Sequence, residues 1–302
     1  MKAQINHLSQ IAYIRRYELL DGSERGVRMI EVDTGVIRFL LNESKALDMS
    51  QLWHKGTNIS FVCKNGIVGR EIAYERRFEG GMLYTCGLDN IGARDGFEIH
   101  GTIHNTPARV LSCICDEEKI EVVGEIALTA LFGQNLYVKR TVTTAVGSDK
   151  VTVRDELTNK GTKEEKYCLL YHCNVGYPML DEGVMVEQDA RSILPRNKHA
   201  ADHIADRTTF PAPLDNEDES CYYIKNNVPE IVVTNKKLGK KFVLDYTGDT
   251  LPCQVQWVTN ATRDYALGIE PSTSFMDGYF EYKTIKPDQK IVFGVSFEVT
   301  EA

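Results

Sequence analysis

Concentrated positive charge is missing from this chain of 302 residues: 35 Lys and Arg stand against 43 Asp and Glu, a formal net charge of −8. A nucleic-acid groove or an anionic membrane surface needs clustered cations, so neither partner is expected. Long apolar runs are missing too. No stretch reaches the roughly 20 residues of a membrane helix, and Met1 to His7 opens no apolar core of an export signal. The cytoplasm is the expected compartment. Internal repeats, low-complexity tracts and a dividing linker are also lacking, so a single domain over 1–302 is expected. A chain this long buries roughly three quarters of its unfolded surface and needs no disulfide or metal staple.

Metal spacing is absent as well. Of the eight cysteines, Cys113 and Cys115 are the closest pair, two apart on an expected strand and without a second ligand pair. Cys168, Cys173 and Cys253 fall inside expected strands and read as small buried hydrophobes rather than disulfide partners. Neither a metal nor an organic cofactor is expected.

What the chain has is period-two alternation. Leu136, Val138 and Val142 alternate with polar neighbours, and after Gly147-Ser148-Asp149-Lys150 so do Val151, Val153 and Leu157, which predicts a hairpin. Further strands are predicted at Phe242–Tyr246, Cys253–Trp257, Tyr265–Ile269 and Ile291–Val299, with turns such as Thr247-Gly248-Asp249 between strands. Helical patterns are scarce; only Ser44–Trp53 and Val68–Phe78 suggest short helices. Strands that recur without alternating helices predict an all-β, antiparallel sandwich. The stretch from Asp189 to Glu219, with Pro195, Pro211 and Pro213, reads as a long surface excursion.

Two strands carry chemistry. In Cys168–Gly176, Leu169, Tyr171, Cys173 and Val175 share one face, which leaves His172, Asn174 and Gly176 on the other. In Tyr265–Pro271, Tyr265, Leu267 and Ile269 form the packing face, so Glu270 stands at the end of a row with Ala266 and Gly268. Taken singly, a strand histidine is usually a hydrogen-bonded core or surface group and a strand-end glutamate a solvated one. Only together, with the small residues beside them, do they outline a site. Between Arg76 and Ala108 the chain is crowded with Gly80, Gly81, Gly87, Asp89, Asn90, Gly92, His100, Gly101, His104 and Asn105. This supply of donors and acceptors suits a polyol, whose buried hydroxyls each need a partner. A pair of ordinary turns, or His100 and His104 as metal ligands, are the competing readings.

These segments resemble the galactose mutarotase (aldose 1-epimerase) superfamily, and more closely its branch grouped as a domain of unknown function. The resemblance is carried by Gly80–Gly92, by His100-Gly101-Thr102-Ile103-His104-Asn105-Thr106-Pro107-Ala108 and by Phe132-Gly133-Gln134-Asn135-Leu136. Asn174–Gly183, Pro195-Arg196 and Leu267-Gly268-Ile269-Glu270-Pro271 continue it in family order. It implies a large β-sandwich with a sugar as the small-molecule partner. His172 would be the acid that protonates the ring oxygen, and Glu270 the base that takes the anomeric hydroxyl proton. It further implies His100 as a sugar contact, with Arg77, Asp89, His104 and Arg196 as additional ligand contacts. The glycine-arginine and asparagine-arginine-isoleucine signature of standard mutarotases is replaced by Thr85–Asn90, so the sugar is expected to be held by other residues.

Three functions compete on this reading. One is an isomerase exchanging sugar anomers, with His172 kept protonated by a nearby carboxylate. Another is a carbohydrate-binding protein without turnover. The third is a hydrolase or lyase, for which Asp89 and Glu270 would have to supply two carboxylates. Arg77, Arg94 and Arg196 are the groups available for an anionic substituent on the sugar.

Overall fold

The alternating patterns become long antiparallel strands in a computed structural model that describes residues 3–302. Five strands form a first sheet in sequence order: β1 (Tyr13–Glu18), β2 (Arg28–Asp33), β3 (Ile37–Asn42), β4 (Asp48–His54) and β5 (Thr57–Asn58). The second sheet has 13 strands. They are β6 (Tyr84–Leu88), β7 (Arg109–Cys115), β8 (Lys119–Thr129), β9 (Asn135–Ala145), β10 (Lys150–Asn159), β11 (Glu165–Val175) and β12 (Met185–Pro195). Then follow β13 (Ser220–Asn235), β14 (Lys240–Tyr246), β15 (Cys253–Thr259), β16 (Ala266–Ser272), β17 (Lys283–Ile285) and β18 (Lys290–Glu301). One apolar cluster joins the two sheets, with Phe39, Leu41 and Leu52 from the first meeting Leu136, Val153, Phe242 and Phe297 from the second. This is the expected antiparallel sandwich. Among the described residues no helix is long and apolar enough to cross a membrane.

Two predicted helices are not formed. Asp48–His54 is β4, because pairing with β3 and burial of Met49 and Leu52 outweigh its weak helical pattern. Of Val68–Phe78 only the 3-10 turn Tyr74–Arg76 is helical, and it has no side-chain cap. The expected excursion at Asp189–Glu219 is only partly one. Its first residues complete β12, paired to β13 through register shifts, and Lys198–Asp202 form a short helix, α1, capped by the Asn197 side chain. All eight cysteines are free thiols, with Cys168, Cys173 and Cys253 buried as expected.

The hairpin of β9 and β10 holds the interaction that binds the layers. The inward rows of these strands each skip one apolar position, at Arg140 and Asp155, and the register sets those two opposite each other. Arg140 donates from Nε and Nη2 to Asp155 at 2.9 and 2.6 Å, and from Nη1 to Asp48 of β4 at 2.6 Å. Its Nη2 also donates to Thr85 of β6, while Tyr171 of β11 donates to Asp155 at 2.7 Å. His104 Nδ1 lies 2.8 Å from Asp48 Oδ2. Burial pushes the Asp48 carboxyl up, but the His104 hydrogen bond and the Arg140 charge more than offset this and hold it below the usual range. Every charged member is almost fully shielded from water. Removing the cation from such a network strands two carboxylates in the core. Arg140→Met is therefore expected to cost about 3–5 kcal/mol of unfolding free energy in urea titrations; a loss below about 1 kcal/mol would show that the network does not brace the sheets.

Candidate functional site

Strand β11 is buried on both faces, which is how one strand serves both core and site. Leu169, Tyr171, Cys173 and Val175 point into the main core, and Cys168 and Leu170 into a second, smaller cluster on the other face. His172 belongs to that other face. On β16 the same division puts Leu267 and Ile269 in the main core and Ala266 in the second cluster. The two strands pair antiparallel with Leu170 opposite Ser272 and Cys173 opposite Ile269, so His172 lies opposite Glu270. Directly opposed side chains on one face are close neighbours. His172 Nε2 and Glu270 Oε1 stand 3.2 Å apart.

Both groups line one cavity of about 560 Å³, together with His100, Arg196, Trp257 and Phe78. The His172 ring is enclosed by Phe78 at 5.4 Å, Trp257 at 5.5 Å and His100 at 5.6 Å between ring centroids. Gly268 clears room for the pair: a Cβ there would sit 2.7 Å from Glu270 Oε1 and 3.2 Å from His172 Cε1. His100 takes a left-handed backbone (φ 63°) and is followed by Gly101 at φ 76°. A side chain at Gly101 would strike the Gly87 carbonyl oxygen at 2.4 Å, which accounts for the His-Gly order. His100 Nδ1 accepts from the Gly92 amide at 3.3 Å, which leaves its proton on Nε2. Arg196 is held by Asp277, Nε to Oδ2 at 2.6 Å and Nη2 to Oδ1 at 3.1 Å.

Burial sets the charge state. His172 is 5% and Glu270 2% exposed. Desolvation, with His100 adding to it, pushes His172 from 6.5 down to about 3. The Glu270 carboxyl is driven well above its ordinary value by burial, against the pull of Arg196. His100 falls to about 4, through burial first and then the charge of Arg196. Burial therefore favours the uncharged form of each group, a carboxylic acid beside a neutral imidazole. This corrects the expectation that a carboxylate keeps His172 protonated; at this depth, desolvation of both charges outweighs their attraction.

The cavity gathers His172, Glu270, His100 and Arg196 and leaves out the other four sequence candidates. Arg77 is buried against Glu98 at 2.5 Å and the Ile72 carbonyl. Asp89 accepts from the Thr102 amide at 2.9 Å and faces a different pocket. His104 is occupied by Asp48 and stacks on Tyr84 at 3.5 Å between ring centroids. Asn174, fully buried, donates to the carbonyls of Gly81 and His172. Each is engaged by the scaffold outside the cavity, although Arg77 Nε, His104 Nε2 and Asn174 Oδ1 are left without a hydrogen-bond partner. Arg94 is likewise enclosed by Phe97 and Phe280. Trp257 and Glu219 were not anticipated at the site; Trp257 Nε1 donates to Glu219 Oε2 at 2.8 Å. A tryptophan in a chain with only 2 was a readable signal, since exposed indole faces commonly pack against ligands.

A family model described as Domain of unknown function (DUF4432) matches residues 24–284. No curated protein matches the chain. Among solved structures, a proposed aldose 1-epimerase from Klebsiella pneumoniae superposes with a TM-score of 0.82 at 21% identity, over 95% of this chain and 83% of that one. A galactose mutarotase-like protein from Clostridium acetobutylicum gives 0.71 at 13% identity, over 97% of this chain and 100% of the other. Galactose 1-epimerase from Lactobacillus acidophilus gives 0.64 at 12% identity, over 96% and 99%. At these identities the likeness establishes the fold, a mutarotase-like β-sandwich.

The two buried titrations act on stability in opposite directions. The native state keeps a proton on Glu270 that the unfolded chain releases near 4.5, so this contribution is complete at lower pH and is withdrawn as pH rises. The unfolded chain binds a proton on His172 below 6.5 that the native state refuses down to about 3, so that contribution is lost as pH falls through this window. Glu270→Gln removes the first penalty alone. Thermal denaturation should find it more stable than wild type at pH 7 and no more stable near pH 4; an equal difference at both pH values would refute the raised carboxyl.

Proposed function

The chain belongs to the family described as Domain of unknown function (DUF4432), and on that footing we propose that it is an isomerase interconverting the anomers of a free sugar. The observation that carries this reading is the 3.2 Å approach of His172 to Glu270 on the wall of a sugar-sized cavity. Opening a cyclic hemiacetal requires a proton to leave the C1 hydroxyl while another reaches the ring oxygen. Both oxygens hang on one carbon, so the acid and base must be near neighbours. A cross-strand pair meets that demand, whereas groups a hexose's width apart would not.

The pair holds a single exchangeable proton. With it on His172, Glu270 takes the C1 hydroxyl proton and His172 protonates the ring oxygen as the C1–O bond breaks. The electron pair of the O–H bond becomes the carbonyl of the open aldehyde. Rotation about C1–C2 and reversal of the two transfers close the ring on the other face. Because burial favours the neutral tautomer at rest, reaching the ionised one means moving the proton from Glu270 to His172. Opening the ring then returns the pair to its neutral state, so the low dielectric assists the chemical step. Trp257 and Phe78 supply apolar faces for the C–H side of the ring, and His100 a neutral donor.

The charge of the cavity bears on the substrate. Glu217, Asp218, Glu219 and Asp264 line it against Arg196, which Asp277 already neutralises. An uncharged aldose fits this lining better than a phosphorylated or sulfated one. A non-catalytic sugar-binding protein is the second reading, favoured by the burial that leaves both central groups uncharged at rest. A two-carboxylate hydrolase using Asp89 has no support, since Asp89 lies outside the cavity.

Two outcomes follow. His172→Gln and Glu270→Gln should each slow catalysed anomer exchange about 10²–10⁴-fold in polarimetry, with the fold retained; wild-type rates in either variant would exclude the assignment. Gly268→Ala should abolish the same exchange while sparing stability far more than Arg140→Met does, because its added methyl meets the reacting atoms. Unchanged exchange would mean that the pair does not work in the observed geometry.

A further inference from the structure

Beside the sugar cavity, the chain gathers a second set of donors that the proposed isomerisation does not use. His199 lies on α1 and His203 caps its end, so the two imidazoles sit one helical turn apart, with ring centroids 4.5 Å from each other. Glu217 reaches them from the segment that leads into β13, and its Oε1 lies 3.0 Å from His199 Nε2. One ligand atom from each of the three lies within 4.8 Å of the others. Donors around a tetrahedral zinc ion are about 3.3 Å apart, given bonds of about 2.0–2.1 Å, so small side-chain adjustments would bring these three onto one ion.

The outer contacts support the same arrangement. His199 Nδ1 lies 2.8 Å from the Ser220 hydroxyl, which turns Nε2 toward Glu217. His203 Nδ1 lies 3.3 Å from Asp206 Oδ2, which leaves its other nitrogen available. Metal-binding histidines are usually oriented in this way by a hydroxyl, carbonyl or carboxylate on the second ring nitrogen. The three residues line a small cavity of about 230 Å³, where solvent or a ligand atom has room to complete the coordination.

We propose that His199, His203 and Glu217 form a binding site for a divalent transition-metal ion, zinc foremost. Two imidazoles and one carboxylate suit zinc, cobalt or nickel and are a poor match for calcium or magnesium, which prefer all-oxygen shells. Glu217 also lines the sugar cavity, as do Asp218 and Glu219 after it. A bound ion therefore anchors the segment whose Glu219 holds Trp257. The site stands independently of the proposed isomerisation.

The test is a titration of the purified full chain with zinc chloride alone, in competition with a chromophoric chelator. The expected result is saturable binding of one ion per chain, weakened at least about tenfold in His203→Ala and in Glu217→Gln. His203 is exposed, so its replacement leaves the fold intact; circular dichroism checks this. Cobalt(II) should show the intense visible absorption of a low-coordinate site in wild type and lose it in both variants. No zinc binding in competition, or binding that both variants retain in full, overturns the proposal.

Discussion

The antiparallel pairing of β11 with β16 is the constraint on which the rest depends. A strand pair of fixed register places one imidazole opposite one carboxylate, and every neighbouring feature either seals that register or clears space around it. A slip of β11 by one residue would turn His172 into the main core and Tyr171 into the cavity. The apolar row on the opposite face forbids this, since Leu169, Cys173 and Val175 would leave the core with Tyr171. Packing on one face thus sets the chemistry of the other.

The Arg140 network does comparable work deeper in the sandwich. It ties β4 of the first sheet to β6, β9, β10 and β11 of the second, so the sheets meet in one arrangement. Because Tyr171 contributes to the network from one side of β11 and His172 faces the cavity from the other, the network also holds the site strand in place. Buried charge has opposite consequences at the two places. Arg140 stays protonated against the opposing effect of burial because Asp155 and Asp48 surround it. His172 and Glu270 have fewer compensating partners and are neutral at rest.

Much of this was legible in the residues. Alternation assigned His172 and Glu270 to the faces opposite the apolar rows, and it marked the strands of the sandwich. Their adjacency was not legible, because the register of strands almost a hundred residues apart is set by long-range packing. Arg140 and Asp155 were visible only as two interruptions in apolar rows; pairing of the strands turned them into one interaction. His104, Asn174, Arg77 and Asp89 had the right chemistry for sugar contacts, but which polar groups reach the cavity is a property of the fold. The helix-like pattern at Ser44–Trp53 yielded for a similar reason, since a partner strand and burial decide more than local propensity.

The central claim is that the His172–Glu270 pair moves protons on a bound sugar. Two-dimensional exchange NMR on a panel of uncharged aldoses tests it most directly. With the right sugar, cross-peaks between the two anomers should grow with added protein and saturate with sugar concentration. Saturable binding of that sugar with exchange no faster than in buffer would contradict the account.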